Sequence, residues 1–368
     1  MSSIYKYIQH TISYQSLDLF LSSLKFWRNR RKLNTRLLFV YKNYHYDHEL
    51  YAIIRFLKKN YTNIDYVGFS PKERPRENPG LSSKKLFRKL DEFKPDVVFT
   101  YEKILSPGEV DRIVRAGIKL VTNTCGVHTF SYGGTRSQAE AMEQLRKHSL
   151  YLISHAPHIP TLIKEGVSVR EFPFWYESEW FRPLDIPKLY DILFLGDIVT
   201  PLNSNRMDLI RFLAQKNKIA LASDYDPMLT NVVSIGSTPN PHKLNLWINQ
   251  AKLVLGSDKL GSIEGLNNLT GQYIFYKDEY FIRQRAYPIM GAGACYLVEK
   301  HPEIEKRFKD GEEIVLWDDY EDLTAKVNLL LQDAKEYKRI GANAHARCFS
   351  EHSVGVRVGQ FIELIDNL

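Results

Sequence analysis

At 368 residues the chain has material for about two domains, each large enough to bury its own core without disulfide staples. Hydrophobic residues at 44% and charged residues at 25% exclude disordered and fibrous classes. The net charge of +7, from 50 basic and 43 acidic residues, favours anionic partners such as nucleotide phosphates, acidic lipid or nucleic acid, and does not choose among them.

Residues 1–34 read as a separate helical extension. Tyr5, Ile8, Ile12, Leu17, Phe20, Leu21, Leu24 and Trp27 recur at helical spacing ahead of a basic cluster, Arg28, Arg30, Arg31 and Lys32. Such a stripe either packs as core on the first domain or lays residues 1–32 against an anionic membrane surface. From Thr35 strand and helix alternate: strand Arg36–Tyr41, helix Glu49–Asn60, strand Asp65–Phe69, helix Ser83–Phe93 and strand Asp96–Thr100. Ser106-Pro107-Gly108-Glu109 is a capping box with proline at the first helical position, so a helix runs to Ala116 and Gly117 ends it. The strand Ile118–Thr122 follows, and the pattern implies a parallel sheet covered by helices, a Rossmann-like domain over 35–178.

Pro173, Pro183 and Pro187 among Trp175, Tyr176, Trp180 and Phe181 mark a linker over 171–189. A second Rossmann-like domain then spans 190–350. Its predicted elements are strand Tyr190–Leu195, helix Arg206–Gln215, strand Lys218–Ala222, helix His242–Ala251, strand Lys252–Leu255, strand Glu313–Trp317 and helix Glu321–Leu331. A helical tail runs from Ala334 to Leu368, with 351–368 packing back on the first domain. The fold class is α/β, two Rossmann-like domains whose strand ends face a cleft, where sheets of this kind bind ligands. Cys125, Cys295 and Cys348 form no C-x-x-C pattern, and no apolar run reaches membrane-spanning length. A cytoplasmic protein is the expectation, with a peripheral position at the inner membrane surface as the alternative that residues 1–32 offer.

The most informative stretch is Phe281–Glu299, where basic residues run through small ones into a short apolar strand. Arg283 and Arg285 precede or open a helix, Gly291, Ala292 and Gly293 let backbones pass closely, and Cys295–Val298 enters a sheet, an order that suits a phosphate. Gly196 gives a tight turn after its strand, and Arg206 and Lys259 are further phosphate candidates, against the simpler roles of salt-bridge and loop residues. No glycine cluster follows either domain's first strand, which disfavours dinucleotide oxidoreduction. His45 and His48, with Asp47 and Glu49, look like metal ligands, but no third cluster completes a site; a polar loop lining the cleft is the reading, and no metal is assigned.

From Tyr190 onward the chain resembles the CgeB-type, spore-maturation-like glycosyltransferases of the GT-B fold. The matching pieces are Asp191-Ile-Leu-Phe-Leu-Gly196 with Asn205-Arg206, then Arg285-Ala-Tyr-Pro-Ile-Met-Gly-Ala-Gly-Ala294 with Cys295–Val298. Phe308-Lys-Asp-Gly-Glu-Glu313, the helix Asp322–Leu330 and His345–His352 follow in order, and Lys94–Phe99 matches in kind. The resemblance implies a nucleotide-sugar donor, UDP- or GDP-linked, held by the second domain, a glycan, lipid-linked or small-molecule hydroxyl acceptor, retention of configuration, and no required cofactor. Arg285, Arg206, Arg283, Lys259, Gly196 and Gly293 are then donor-binding residues, with Arg285 stabilising the leaving diphosphate. His128 is the candidate base or acceptor contact, with His45 and His48 also on the acceptor side. Pro288 stands where related sequences often carry a glutamate that grips the donor ribose; Glu299 or Glu312 would take over that contact. Pro288 also motivates an alternative, a catalytically silent GT-B protein that binds an anion. A further alternative is a glycosyltransferase acting on modified nucleic-acid bases through the basic, aromatic stretch 25–36.

Overall fold

The computed structural model describes residues 30–42, 48–70, 83–124, 135, 137–198, 204–237, 240–260, 263–266, 273–276, 279–280 and 282–368. They fall into two compact units. The first holds 1–174, 263–275 and 357–368; the second holds 175–262 and 276–356.

In the first unit, strands β1 (Arg31–Lys42), β2 (Tyr61–Phe69), β3 (Val97–Tyr101), β4 (Lys119–Thr124), β5 (Leu150–Ile153) and β6 (Val169–Glu171) form one parallel sheet in the order β2-β1-β3-β4-β5-β6. Helices α1 (His48–Asn60), α2 (Ser83–Phe93), α3 (Pro107–Arg115), α4 (Gln138–Arg146) and α5 (Ile159–Lys164) cross between them. Strand direction of build-up reverses between β1 and β3. β3 is a largely apolar run buried throughout, and β4 is buried from Leu120 to Thr124, the condition of strands covered by helices above and below. One face of the sheet packs Leu38, Val40 and Val98 with Leu86, Val110, Ile113 and Leu145 from the helices. On β1 and β3, Phe39 and Phe99 meet edge to face with centroids 4.9 Å apart, and Phe361 of the chain's last helix lies 4.5 Å from Phe99.

The second unit repeats the plan. β7 (Tyr190–Leu195), α6 (Ser204–Leu213), β8 (Ile219–Ala222), β9 (Val232–Ser234), α7 (Pro241–Gln250) and β10 (Ala251–Leu255) are followed by β11 (Lys259–Leu260). β12 (Ile263–Leu266) and β13 (Tyr273–Tyr276) pair with each other and belong to the first unit; β14 (Glu279–Tyr280) pairs with β11. Then come α8 (Ala286–Gly291), β15 (Cys295–Glu299), α9 (Pro302–Glu305), β16 (Val315–Trp317), α10 (Tyr320–Gln332), α11 (Ala334–His352) and α12 (Val354–Asp366). The sheet runs β16-β15-β10-β7-β8-β9, all parallel, so its switch point lies between β7 and β10. Ile192, Phe194, Leu253, Leu255, Cys295 and Leu297 turn one face to Leu209, Leu213, Val327 and Ile340.

Three boundaries differ from the sequence reading. β1 begins at Arg31, within the predicted 1–34 extension, because Arg31 and Lys32 pair with Tyr61 and Thr62, which also draws β2 four residues earlier than predicted. Residues 1–29, and with them the membrane-surface reading of that segment, lie outside the described residues. The predicted single helical tail is broken at Ser353, whose extended backbone (φ −67°, ψ 152°) forms a bridge with Tyr176. Tyr176 N–H donates to the His352 carbonyl and Val354 N–H to that of Tyr176, so two helical groups left open by the break are satisfied. Beyond it, Arg357–Leu368 joins the first unit, as a tail crossing back requires. The aromatics of the predicted linker are core: Trp175, Tyr176 and Phe181 are at most 2% exposed. Among the described residues no helix is long and apolar enough to cross a membrane.

Close packing of α11 on the α8–β15 turn rests on Gly341, whose missing side chain leaves room for the Gly293 carbonyl. Gly359, in α12, faces open space. The same substitution should therefore have opposite signs. Gly341→Ala should lower the melting temperature by several degrees, from an overpacking cost of about 1–3 kcal/mol, whereas Gly359→Ala should raise it slightly, by about 0.5–1 kcal/mol of recovered helix propensity. Thermal denaturation of the two variants checks both.

Candidate functional site

At the switch point of the second unit, β7 and β10 both end in glycine. Gly196 follows β7 at φ +131°, a conformation L side chains rarely adopt, and the guanidinium of Arg285 fills the space a side chain would take. Gly256 follows β10, and there the space is taken by the hydroxyl of Tyr296. Arg285 caps α8 from outside and is half-buried; its Nη1 donates to the Leu195 carbonyl, the last of β7.

Arg206, in the first turn of α6, is 1% exposed. Its Nη1 donates to the Asp197 carbonyl at 2.7 Å and its Nη2 to the Ser257 carbonyl at 3.4 Å, so one guanidinium spans the loops that follow both switch-point strands. Arg283 donates through its main-chain N–H to Asp258 Oδ1 (3.3 Å) and through Nη2 to the Lys259 carbonyl (3.2 Å). Three guanidinium groups thus gather at the carboxyl ends of β7 and β10. Burial pushes each below its ordinary value, and their mutual repulsion adds to this for Arg206, which falls to about 8, and Arg283, which falls to about 10. Nearby Asp197, Asp258 and Glu299 pull in the other direction. A polyanion placed there would offset that repulsion.

A carboxylate layer lies against the arginines. Asp258 is fully buried and its N–H donates to Glu299 Oε2 at 2.8 Å; its own Oδ2 is 3.3 Å from His301 Nε2. His301 stacks on Tyr280 with centroids 5.2 Å apart and planes at 17°. Burial, then the charge of Asp258, raises the Glu299 carboxyl. Glu299 thus ties down the 257–258 loop through the Asp258 N–H.

The sequence-nominated residues divide accordingly. Gly196, Arg206, Arg283, Arg285 and Glu299 meet at the carboxyl edge, with Lys259 beside them through its carbonyl while its side chain is exposed. Two others do not join them. Gly293 (φ +76°) ends α8 at its far end, against Pro183 and Gly341, and its glycine identity follows from that turn and packing. Glu312 lies ahead of β16, at the amino edge of the sheet, exposed and 3.5 Å from Lys309. Pro288 is buried within α8, a helix of six residues, too short to offer an anion much of a helix dipole. His45 and His128 lie outside the described residues; His48 opens α1, and its side chain is likewise outside the description. Among the described residues no three His, Cys, Asp or Glu are grouped to hold a metal ion.

Sequence reasoning missed Asp258, Tyr296 and His301 in the second unit and Glu102 in the first. Glu102 follows β3, next to the switch point of the first sheet, at φ +67°. Its carboxylate accepts from Thr124 Oγ1 at 2.9 Å and its N–H donates to the Asn123 carbonyl at 2.7 Å. A strained non-glycine backbone at the carboxyl edge of a switch-point strand is a mark of function. The only sequence signal was a carboxylate directly after an apolar strand.

Residues 206–363 match the model of a family described as glycosyl transferase-like. No curated protein sequence matches the chain. Among solved structures the chain is similar to HepE of Anabaena in complex with UDP and glucose, at 12% identity and a TM-score of 0.64 over 91% of this chain and all of that one. It is similar to sucrose-phosphate synthase from Thermosynechococcus elongatus, at 12% identity and a TM-score of 0.63 over 90% and 100% of the two chains. The lipopolysaccharide outer core galactosyltransferase WaaB matches at 11% identity and 0.55 over 92% and 100%. These likenesses show the two-domain GT-B fold.

Gly196 offers a direct check of the arginine arrangement. Gly196→Ala forces a side chain into the space of the Arg285 guanidinium at a φ that disfavours it, and should lower stability by about 2–4 kcal/mol while displacing Arg285. Chemical denaturation measures the first effect, and loss of pyrophosphate binding by calorimetry reports the second.

Proposed function

We propose that this glycosyltransferase takes its sugar from a nucleoside diphosphate donor, with UDP as the nucleotide, and transfers it to a hydroxyl of a glycan or other polyol with retention of configuration. The observation that carries this is the gathering of Arg206, Arg283 and Arg285 at the carboxyl ends of β7 and β10, the switch point where sheets of this order bind ligands. The diphosphate binds the three guanidiniums, and Arg285 stabilises the negative charge that develops on the leaving UDP as the glycosidic bond breaks. UDP is favoured over GDP because HepE is described in complex with UDP and with UDP-glucose. A glycan acceptor is favoured by the likeness to a galactosyltransferase of the lipopolysaccharide outer core and to a TarM structure in complex with fondaparinux, alpha-GlcNAc-glycerol and UDP. On the first unit the acceptor-side residues are His128, His45, His48 and the strained Glu102. The CgeB-type subfamily remains the specific relative that the motif order supports.

Arg285→Lys keeps the charge and loses the two-pronged donor. It should weaken UDP binding by about 10- to 100-fold, the worth of one charged hydrogen bond of about 1.5–3 kcal/mol, and slow UDP release from UDP-glucose by at least as much. Calorimetry and a coupled UDP-release assay read the two effects. Absence of both binding and release across UDP- and GDP-sugars in the unmodified chain would sink the proposal. Binding of UDP without any release would favour the silent reading that Pro288 motivates.

Acceptor-side residues should separate from donor-side ones. Glu102→Gln and His128→Ala should lower turnover tenfold or more and leave the dissociation constant for UDP within about twofold, a split that acceptor-side roles demand. Steady-state UDP release set beside calorimetric UDP binding checks it.

A further inference from the structure

Tyr296 is the second residue of β15, 0% exposed, yet its hydroxyl finds no hydrogen-bond partner among the described residues. A buried hydroxyl left alone costs about 1–3 kcal/mol, and a phenylalanine of the same shape would avoid that cost. The hydroxyl is also not tucked into apolar core. It reaches the space above Gly256, where a side chain on that residue would collide with it, at the end of β10. Asp258, Glu299, Arg283 and Arg285 all lie within its electrostatic reach. A second orphan lies in the same layer: Nδ1 of His301 is buried and unpartnered, while Nε2 faces Asp258. A phenol that can both donate and accept, and an imidazole nitrogen, thus stand next to the phosphate-binding cations without protein partners.

Resting on the donor reading above, we infer that Tyr296, with His301 behind it, binds a hydroxyl group of the donor immediately beside the diphosphate. Two hydroxyl sources share that chemistry, the ribose of the nucleoside and the sugar to be transferred. Gly256 is glycine because the phenol crosses its side-chain position to get there.

The test is Tyr296→Phe in the full chain, titrated calorimetrically with pyrophosphate, UDP and UDP-glucose, with a thermal melt of the same sample. The variant should melt at or above the temperature of the unmodified protein, since an unsatisfied hydroxyl has been removed. Pyrophosphate affinity should stay within about twofold, while a nucleotide ligand loses about three- to tenfold, the worth of one hydrogen bond. A loss for UDP and UDP-glucose alike assigns the ribose hydroxyl; a loss for UDP-glucose alone assigns the sugar. Unchanged affinity for all three ligands overturns the inference, and so does an equal loss that includes pyrophosphate, which would mean the phenol acts only through the arginines. If the unmodified chain binds none of the three, the donor reading itself fails and takes this inference with it.

Discussion

The carboxyl edge of the second sheet depends on how three main-chain carbonyls are satisfied, those of Leu195, Asp197 and Ser257. They lie at or just beyond the ends of β7 and β10, where the sheet changes its direction of build-up and neighbouring loops part company. Backbone carbonyls at such a place must be met by something other than a strand. Here Arg285 and Arg206 meet them, Arg206 fully buried and Arg285 half-buried in doing so. That one arrangement explains the rest of the locality. Gly196 must be glycine for Arg285 to pass, and Asp258 and Glu299 must be buried nearby to offset the cations. Arg283 is tied to Asp258 through its own backbone. The cluster's shown role is structural, and groups that hold carbonyl oxygens can also hold phosphate oxygens, which is the ground of the donor proposal.

Much of this was legible from residue order. Apolar runs such as Val97–Tyr101, Tyr190–Leu195 and Cys295–Glu299 are strands because both their faces are covered, and no amphipathic alternation is needed to recognise them. The capping box at Ser106 and Glu109 showed through because its logic is local: the Glu109 carboxylate accepts from the Ser106 N–H at 2.8 Å. Arg285 and Gly196 were identifiable separately, as a basic residue before small ones and a glycine after a strand. What the order of residues did not convey was that one fills the space of the other, since they are 89 positions apart and meet only once the sheet is assembled.

The parts that escaped are those set by pairing or by tertiary packing. The first residues of β1, Arg-Lys-Leu-Asn-Thr, have no apolar run, and they become strand because Tyr61 and Thr62 lie alongside. The break at Ser353 has no proline or glycine to announce it; Tyr176 imposes it by claiming hydrogen bonds on both sides. Asp258 looked like an ordinary loop residue beside Lys259, the more conspicuous phosphate candidate. Burial reversed their importance, placing the carboxylate in the network and leaving the lysine side chain in solvent. Gly293 illustrates the converse: a glycine that sequence order placed near the ligand is required by a helix end and the close approach of α11.

The chain's final helix also bears on how the protein is made. Phe361 packs on Phe99, and Asp366 accepts a hydrogen bond from Thr35, so the first unit draws on residues that follow the whole second unit in the chain. Domains ordinarily fold as they emerge, with the amino-terminal one first. Here the amino-terminal unit has its sheet early but waits through the synthesis of the entire second unit, with Phe99 uncovered, for the segment that closes it. The vulnerable interval for this protein is therefore translation itself, because the older half cannot be completed until the younger one has been made.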